Sequence, residues 1–156
     1  MRLALFQPDI PQNLGAAIRL CACMGVELEV IEPCAFPLSD RRLRRAALDY
    51  RASTVLRPSW RAFVDAPARG EGRLLLFTTR ADQSYLDHRF DAGDTLLFGQ
   101  ESAGAPDEVH AAADARLLIP IRPGARSLNV VVAAAMALGE ALRQTRPAVE
   151  PGAGTG

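Results

Sequence analysis

Three short stretches of the chain hold the residue types that could do chemistry, at 13–19, 99–104 and 119–129. The first reads Asn-Leu-Gly-Ala-Ala-Ile-Arg from Asn13 to Arg19. On a helix Gly15 and Arg19 are four apart and share a face. The missing side chain at Gly15 leaves room for a group to approach the Arg19 guanidinium. By itself the stretch is also an ordinary N-cap followed by a surface arginine. The second, Gly99-Gln-Glu-Ser-Ala-Gly104, is a glycine-bounded loop with one carboxylate, Glu101. Glycines there permit a sharp turn or a close approach of the backbone to a ligand. The third, Ile-Pro-Ile-Arg-Pro-Gly-Ala-Arg-Ser-Leu-Asn, joins the last strand to the last helix. Pro120, Pro123 and Gly124 give it a stiff, irregular path. Arg126, Ser127 and Asn129 fall at the helix start, where unpaired N–H groups and the positive end of the dipole suit a carboxylate or phosphate.

The same stretches exclude several chemistries. Gly99 and Gly104 have P-loop spacing, but Ala105 and Pro106 follow where Lys and Ser or Thr are needed. Gln100 stands where a nucleophile elbow needs glycine. GxGxxG, the dinucleotide fingerprint, is missing. The only histidines, His88 and His110, lie near no motif, which weakens a serine hydrolase. Three cysteines, Cys21, Cys23 and Cys34, have no zinc spacing, so neither a metal site nor a disulfide framework is expected. They read as free buried thiols in a reducing cytosol.

These residues need a scaffold to position them. Strands are expected over 3–6, 27–31 (alternating), 54–56, 73–77, 95–98 and 117–119. Helices are expected between them: from an Asn13 cap to Met24 with Gly25 as the stop, over 41–48, from a Ser59 cap to Val64, over 106–112, and from Ser127 to Gln144. Strands alternating with helices predict an α/β fold with a mainly parallel sheet, ligands lying at the C-terminal ends of its strands. The 156 residues suffice for one domain, expected over 1–146, with 147–156 a Pro-, Gly- and Ala-rich tail. Nearly every residue between Leu128 and Leu142 is apolar or small. A helix apolar all round must be buried all round, and one flank then calls for a second subunit. The formal net charge is zero, so no dominant basic field announces nucleic acid. All 18 basic residues are nonetheless Arg, the better fork for phosphate. Arg41, Arg44 and Arg45 fall on one side of their helix and could follow an RNA backbone. The longest apolar run, 130–138, is too short to span a bilayer.

Four segments, in order, resemble the SPOUT-class RNA 2′-O-methyltransferases. They are Ile-Pro-Gln-Asn-Leu-Gly-Ala-Ala-Ile-Arg-Leu-Cys-Ala (10–22), Asp-Arg-Arg-Leu-Arg-Arg-Ala-Ala-Leu-Asp-Tyr (40–50), Leu-Leu-Phe-Gly-Gln-Glu-Ser-Ala-Gly-Ala-Pro (96–106) and 119–129. Within that class the similarity is closest to the short tRNA (cytidine/uridine-34)-2′-O-methyltransferases, and it runs from about residue 3 to 144. The resemblance implies an α/β fold with helices on both faces of the sheet, a C-terminal trefoil knot and a homodimer through the last helix. It implies S-adenosyl-L-methionine bent among 77–79, 99–104 and 119–127. Phe77, Gly99, Gly104 and Ile119 would shape that pocket, and Ser127 would touch the cofactor or hold its loop. Arg19 would face the ribose or adjacent phosphate as a fixed charge, since a guanidinium is a poor base. Asn13, Glu101 and Asn129 would orient the RNA or the loops, and Arg41, Arg44, Arg45 and Arg126 would bind RNA. The expected partner is the tRNA anticodon loop in the cytoplasm, with no metal and no membrane. Gln100, Ala103 and Gly139 depart from the family pattern, where Pro, a basic residue and Tyr are common.

Two other readings remain open. One is methylation of a different tRNA or rRNA ribose. The other is a catalytically silent S-adenosylmethionine- or RNA-binding module. The missing phosphate fingerprints speak against a third, a phosphatase or dehydrogenase domain.

Overall fold

The computed structural model of the protein describes residues 1–39, 54–67 and 72–146. The Arg41, Arg44 and Arg45 helix and the expected tail lie outside the described residues. Seven parallel strands form one sheet: β1 (Arg2–Phe6), β2 (Glu27–Ile31), β3 (Thr54–Arg57), β4 (Leu74–Phe77), β5 (Gln83–Ser84), β6 (Thr95–Phe98) and β7 (Ala115–Leu118). Their order across the sheet is β3-β2-β1-β6-β4-β7-β5. The described α-helices are α1 (Pro11–Met24), α2 (Trp60–Val64), α3 (Asp107–Ala112) and α4 (Val130–Thr145). A 3-10 turn spans Tyr85–Asp87. Neither that turn nor β5 is expected from the sequence, because two residues carry no periodicity.

Both faces of the sheet are covered, which is why its central strands are continuous apolar runs. β4 (LLLF) and β6 (TLLF) are buried at every position. Successive side chains alternate between two cores. Leu3, Leu5, Leu75, Phe77, Leu96 and Phe98 face α1 and α4. Ala4, Phe6, Leu74, Leu76 and Leu97 face Phe63 of α2 and Val109 of α3. β2 departs from the half-buried alternation expected of it: Leu28 to Ile31 are all buried. Glu29, 1% exposed, survives there because Arg57 Nε donates to its Oε2 at 2.5 Å. An unpaired carboxylate at that depth would cost several kcal/mol, on the order of the penalty for one buried ion.

Helix boundaries correct two expectations. α1 begins at Pro11 with Ile10 as the N-cap, not at Asn13. Proline suits the first helical position because its fixed φ is helical and its missing N–H would be unpaired anyway. That start places Asn13 inside the first turn. Gly25 ends the helix in the left-handed region, φ 63°, as expected. α4 is capped by Asn129 rather than Ser127, its side chain accepting from Val131 and Val132 N–H. Of the three polar residues expected at this helix start, only Asn129 occupies the cap.

α4 also differs from an all-round buried helix. Ala134, Ala137, Leu138, Ala141 and Leu142 form one buried stripe against α1 and the sheet. Leu128, Val132 and Met136, spaced by four, remain 39%, 49% and 41% exposed. Of the three free cysteines only Cys21 is buried, its thiol pushed up to about 12 by desolvation, while Cys23 is exposed. Among the described residues no helix is long and apolar enough to cross a membrane, and no cluster of His, Cys, Asp and Glu could hold a metal.

Candidate active site

β6, β4 and β7 are neighbours in the sheet, so the loops leaving their C-terminal ends share one edge. Together with the first turn of α1 and the start of α4 these loops enclose a cleft of about 600 Å³. Of the residues expected in a site, Asn13, Phe77, Gly99, Glu101, Gly104, Ile119, Arg126, Ser127 and Asn129 line it. Arg19 does not. It is exposed on the flank of α1, and none of the described residues pairs with it, while Gly15 is buried against the core. The space Gly15 was expected to open beside Arg19 is therefore taken up by packing.

The apolar part of the cleft rests on Phe77 and Phe98, one strand apart and stacked at 4.8 Å with 14° between ring planes. Beyond Phe98 the chain turns back on itself. Gln100 and Gly104 exchange backbone hydrogen bonds of 2.9 Å in both directions. A Cβ on Gly99 would stand 2.4 Å from the Gly104 carbonyl carbon and 2.6 Å from the Ala105 nitrogen, so only glycine fits. Gly104 itself has φ +72°. The two glycines of this loop thus have separate geometric causes.

The polar edge of the cleft is a directional chain. Asn129 Oδ1 accepts from the α4 N–H groups of Val131 at 2.9 Å and Val132 at 3.3 Å. Its Nδ2 must then face outward, and it donates to Asn13 Oδ1 at 3.0 Å. Asn13 Nδ2 in turn donates to Glu101 Oε1 at 3.0 Å. Each amide has one orientation that satisfies both neighbours, so the helix cap sets the direction of the whole chain. Three segments separated by up to 116 residues are fixed to one another by it.

Asp9 locks the same loop from the other side. Its carboxylate accepts from Glu101 N–H and Ser102 N–H, each at 3.2 Å, and from the Ser102 hydroxyl. Asp9 N–H donates back to Glu101 Oε2 at 3.1 Å. Burial pushes the Glu101 carboxyl above the ordinary range, and the shared contact with the Asp9 carboxylate adds to that. Burial pulls Asp9 the same way, but its bonds from Glu101, Ser102 and the two N–H groups outweigh it and hold Asp9 low. The two carboxyls divide into one that keeps its charge readily and one that does not.

Three residues of this site carry no sequence signal. Asp9 precedes α1 by two positions, and its partners lie more than 90 residues away, so spacing gives no signal. His110 lies near no motif in the sequence, yet α3 brings it to the cleft wall. Arg80 also reaches the wall, held by Asp107 at 3.0 Å.

A ligand-sized cleft at the C-terminal ends of adjacent parallel strands defines an α/β protein that binds a small molecule at its strand ends. The sequence model of the SpoU rRNA Methylase family matches residues 1–139, and the chain belongs to that family. It is 57% identical over 144 residues to a tRNA (cytidine(34)-2′-O)-methyltransferase of Beijerinckia indica, covering 91% of this chain and 90% of that one. It is 49% identical to the protein of the same description from Ancylobacter novellus, covering 99% of both. A solved structure described as giving insight into the 2-OH methylation of C/U34 on tRNA superposes with a TM-score of 0.86. That structure is 44% identical and is matched over 92% of this chain and 94% of its own. The SpoU methyltransferase AviRb from Streptomyces viridochromogenes, in complex with AdoMet, superposes with a TM-score of 0.83 at 28% identity. The match covers 92% of this chain and 60% of that one.

Proposed function

We propose that the protein transfers a methyl group from S-adenosyl-L-methionine to the ribose 2′-hydroxyl of the wobble nucleotide, C or U at position 34, in tRNA. The observation that carries this reading is the Glu101–Asn13–Asn129 chain, which joins three sequence motifs along one edge of the cleft. The relatives named for methylation at C34 supply the substrate.

The residues present fit the cofactor. The Phe77–Phe98 stack and Ile119 offer an apolar bed for a planar base. Gly99 and Gly104 bring bare backbone to the same wall, and Ser127 stands at its rim. The cofactor supplies an activated methyl on a sulfonium, so the protein's task is alignment of the hydroxyl with it. Holding two reactants in near-attack geometry supplies several kcal/mol of a barrier, up to roughly 10. The fixed amide chain is suited to that task, because none of its members can rotate without losing a partner. Arg19 acts as a positioning charge at the ribose or phosphate, and Arg126, with Arg41, Arg44 and Arg45, binds the RNA backbone. Such contacts make tRNA affinity fall with salt.

The same reading includes a homodimer. The Leu128, Val132 and Met136 stripe is its surface, and it starts beside the cleft at Asn129. Arg19 lies outside the cleft of its own subunit, and pairing through the α4 stripe offers it a route to the partner's cleft. The reading also carries the trefoil knot of the C-terminal segment and a cytoplasmic location, where tRNA is found.

Mass spectrometry of tRNA incubated with the protein and isotope-labelled S-adenosylmethionine tests the proposal. The expected label is on the ribose of nucleotide 34. Label on another tRNA or rRNA ribose would replace the substrate, and cofactor binding with no transfer to any RNA would leave a binding module.

A further inference from the structure

His110 is 8% exposed, lines the cleft, and its Nε2 is buried with no hydrogen-bond partner. Its backbone N–H is used within the first turn of α3, donating to Pro106 O at 3.2 Å. Its carbonyl accepts from Arg116 Nη1 at 3.0 Å. The backbone is therefore fixed, and the ring alone is unsatisfied. Leaving a buried polar nitrogen unpaired costs about 1–3 kcal/mol, so such a group at a cleft wall calls for a ligand atom. The charged neighbours of the ring, Arg80, Asp107 and Arg116, do not claim Nε2. Burial, with Arg80 adding to it, holds the ring below the ordinary histidine range.

Topology says which part of a ligand His110 meets. The amide chain stands beside α1, which leaves β1, while α3 packs on β4, two strands further along the sheet. Two strand spacings are about 9.5 Å. The polar edge where a ribose hydroxyl would be aligned and the His110 wall are thus separated along the sheet edge. Phe98 ends β6, the strand between β1 and β4, and its ring stacks on Phe77 at the end of β4.

We propose that His110 Nε2 is a hydrogen-bonding contact for the adenine edge of the bound cofactor, a side-chain contact added to a pocket otherwise built from backbone and aromatic rings. This inference rests on the cofactor reading above. It assigns His110 to binding and not to methyl transfer.

The test is calorimetric titration of the full-length protein with S-adenosylhomocysteine, and separately with methylthioadenosine, which lacks the amino-acid end. His110→Phe keeps an apolar ring and removes the nitrogen, while His110→Gln can place an amide nitrogen near Nε2. His110→Phe is expected to weaken both ligands about ten-fold, the scale of one lost buried hydrogen bond. His110→Gln is expected to recover most of that loss. In the free protein His110→Phe should melt no lower than the parent, because it removes an unsatisfied group. Unchanged affinity of His110→Phe would overturn the inference. A loss seen with S-adenosylhomocysteine but not with methylthioadenosine would overturn the assignment to adenine. If the unaltered protein bound neither ligand, the cofactor reading itself would fall, which keeps the two failures apart.

Discussion

Asn13→Asp tests the directional chain directly, because it changes one NH2 group to oxygen and leaves shape and volume unchanged. The new carboxylate still accepts from Asn129 Nδ2, so the α4 end of the chain survives. Its other oxygen faces Glu101 Oε1 at 3.0 Å, where a donor used to be. Two like charges at that distance repel by about 5 kcal/mol at an effective dielectric constant of about 20. Taking up a proton costs less. A carboxyl of ordinary pKa held protonated at pH 7 requires roughly 3–4 kcal/mol, at 1.36 kcal/mol per unit. The pair therefore binds one proton, and the destabilisation is about 3 kcal/mol at pH 7. The folded variant then holds a proton that the unfolded chain has lost, so its stability declines as pH rises above the unfolded carboxylate range. Lowering the pH to 5 should shrink the deficit to about 1 kcal/mol. Glu101 already titrates high in the parent, so the parent carries a part of this slope, while Asp9, held low, is ionised in both states over the same window and adds none; the quantity read is the difference between variant and parent. Urea unfolding at pH 5, 6 and 7, with Asn13→Ala as a control that deletes the donor without adding charge, measures the effect. A gap between Asn13→Asp and the parent that does not change with pH would refute the orientation of the chain.

Arg19→Ala should lower tRNA methylation by roughly 10²-fold, the scale of a lost preorganised charge contact, with S-adenosylhomocysteine affinity and melting temperature unchanged. Near-normal turnover would remove Arg19 from the site. Val132→Glu puts a charge into the exposed α4 stripe and should yield a monomer in sedimentation, with cofactor binding retained; an undiminished dimer would place the interface elsewhere. Gly99→Ala sets a methyl against backbone at 2.4 Å, so the Gln100–Gly104 turn must open. The expected cost is about 1–3 kcal/mol in stability, with a ten-fold or larger loss of cofactor affinity by calorimetry.

How far the site could be read from the residues depends on the range of the forces involved. Strands β1, β4 and β6 are unbroken apolar runs bounded by turns, and burial on both faces demands such runs, so their positions follow from local pattern. Gly25 and Ser59 act within one helical turn, and both stand where local rules put them. The cap of α4 stands two residues beyond Ser127, because Ser127 and Asn129 are equally able to cap. Asn129 is favoured by a partner 116 residues away, Asn13, which accepts its free amide hydrogens. Asn13 is ambiguous in the sequence for the matching reason. As an isolated residue before an apolar helix it looks like a cap, and only Glu101 shows that it is a link. Arg19 was placed by motif, and the fold of a single subunit leaves it outside the cleft.

These cases share one cause. A polar residue with a single obligation, such as a cap, is legible from its neighbours in sequence. A polar residue with two obligations takes its position from the partner that sequence distance hides. Asn13, Asn129 and Asp9 each satisfy two segments at once, and all three stand at the edge where the proposed chemistry needs rigidity. Arg19 and the His110 ring are the opposite case, polar groups without a protein partner among the described residues. They are among the described polar groups that join no loops, and the proposals above assign Arg19 to the RNA and His110 to the cofactor.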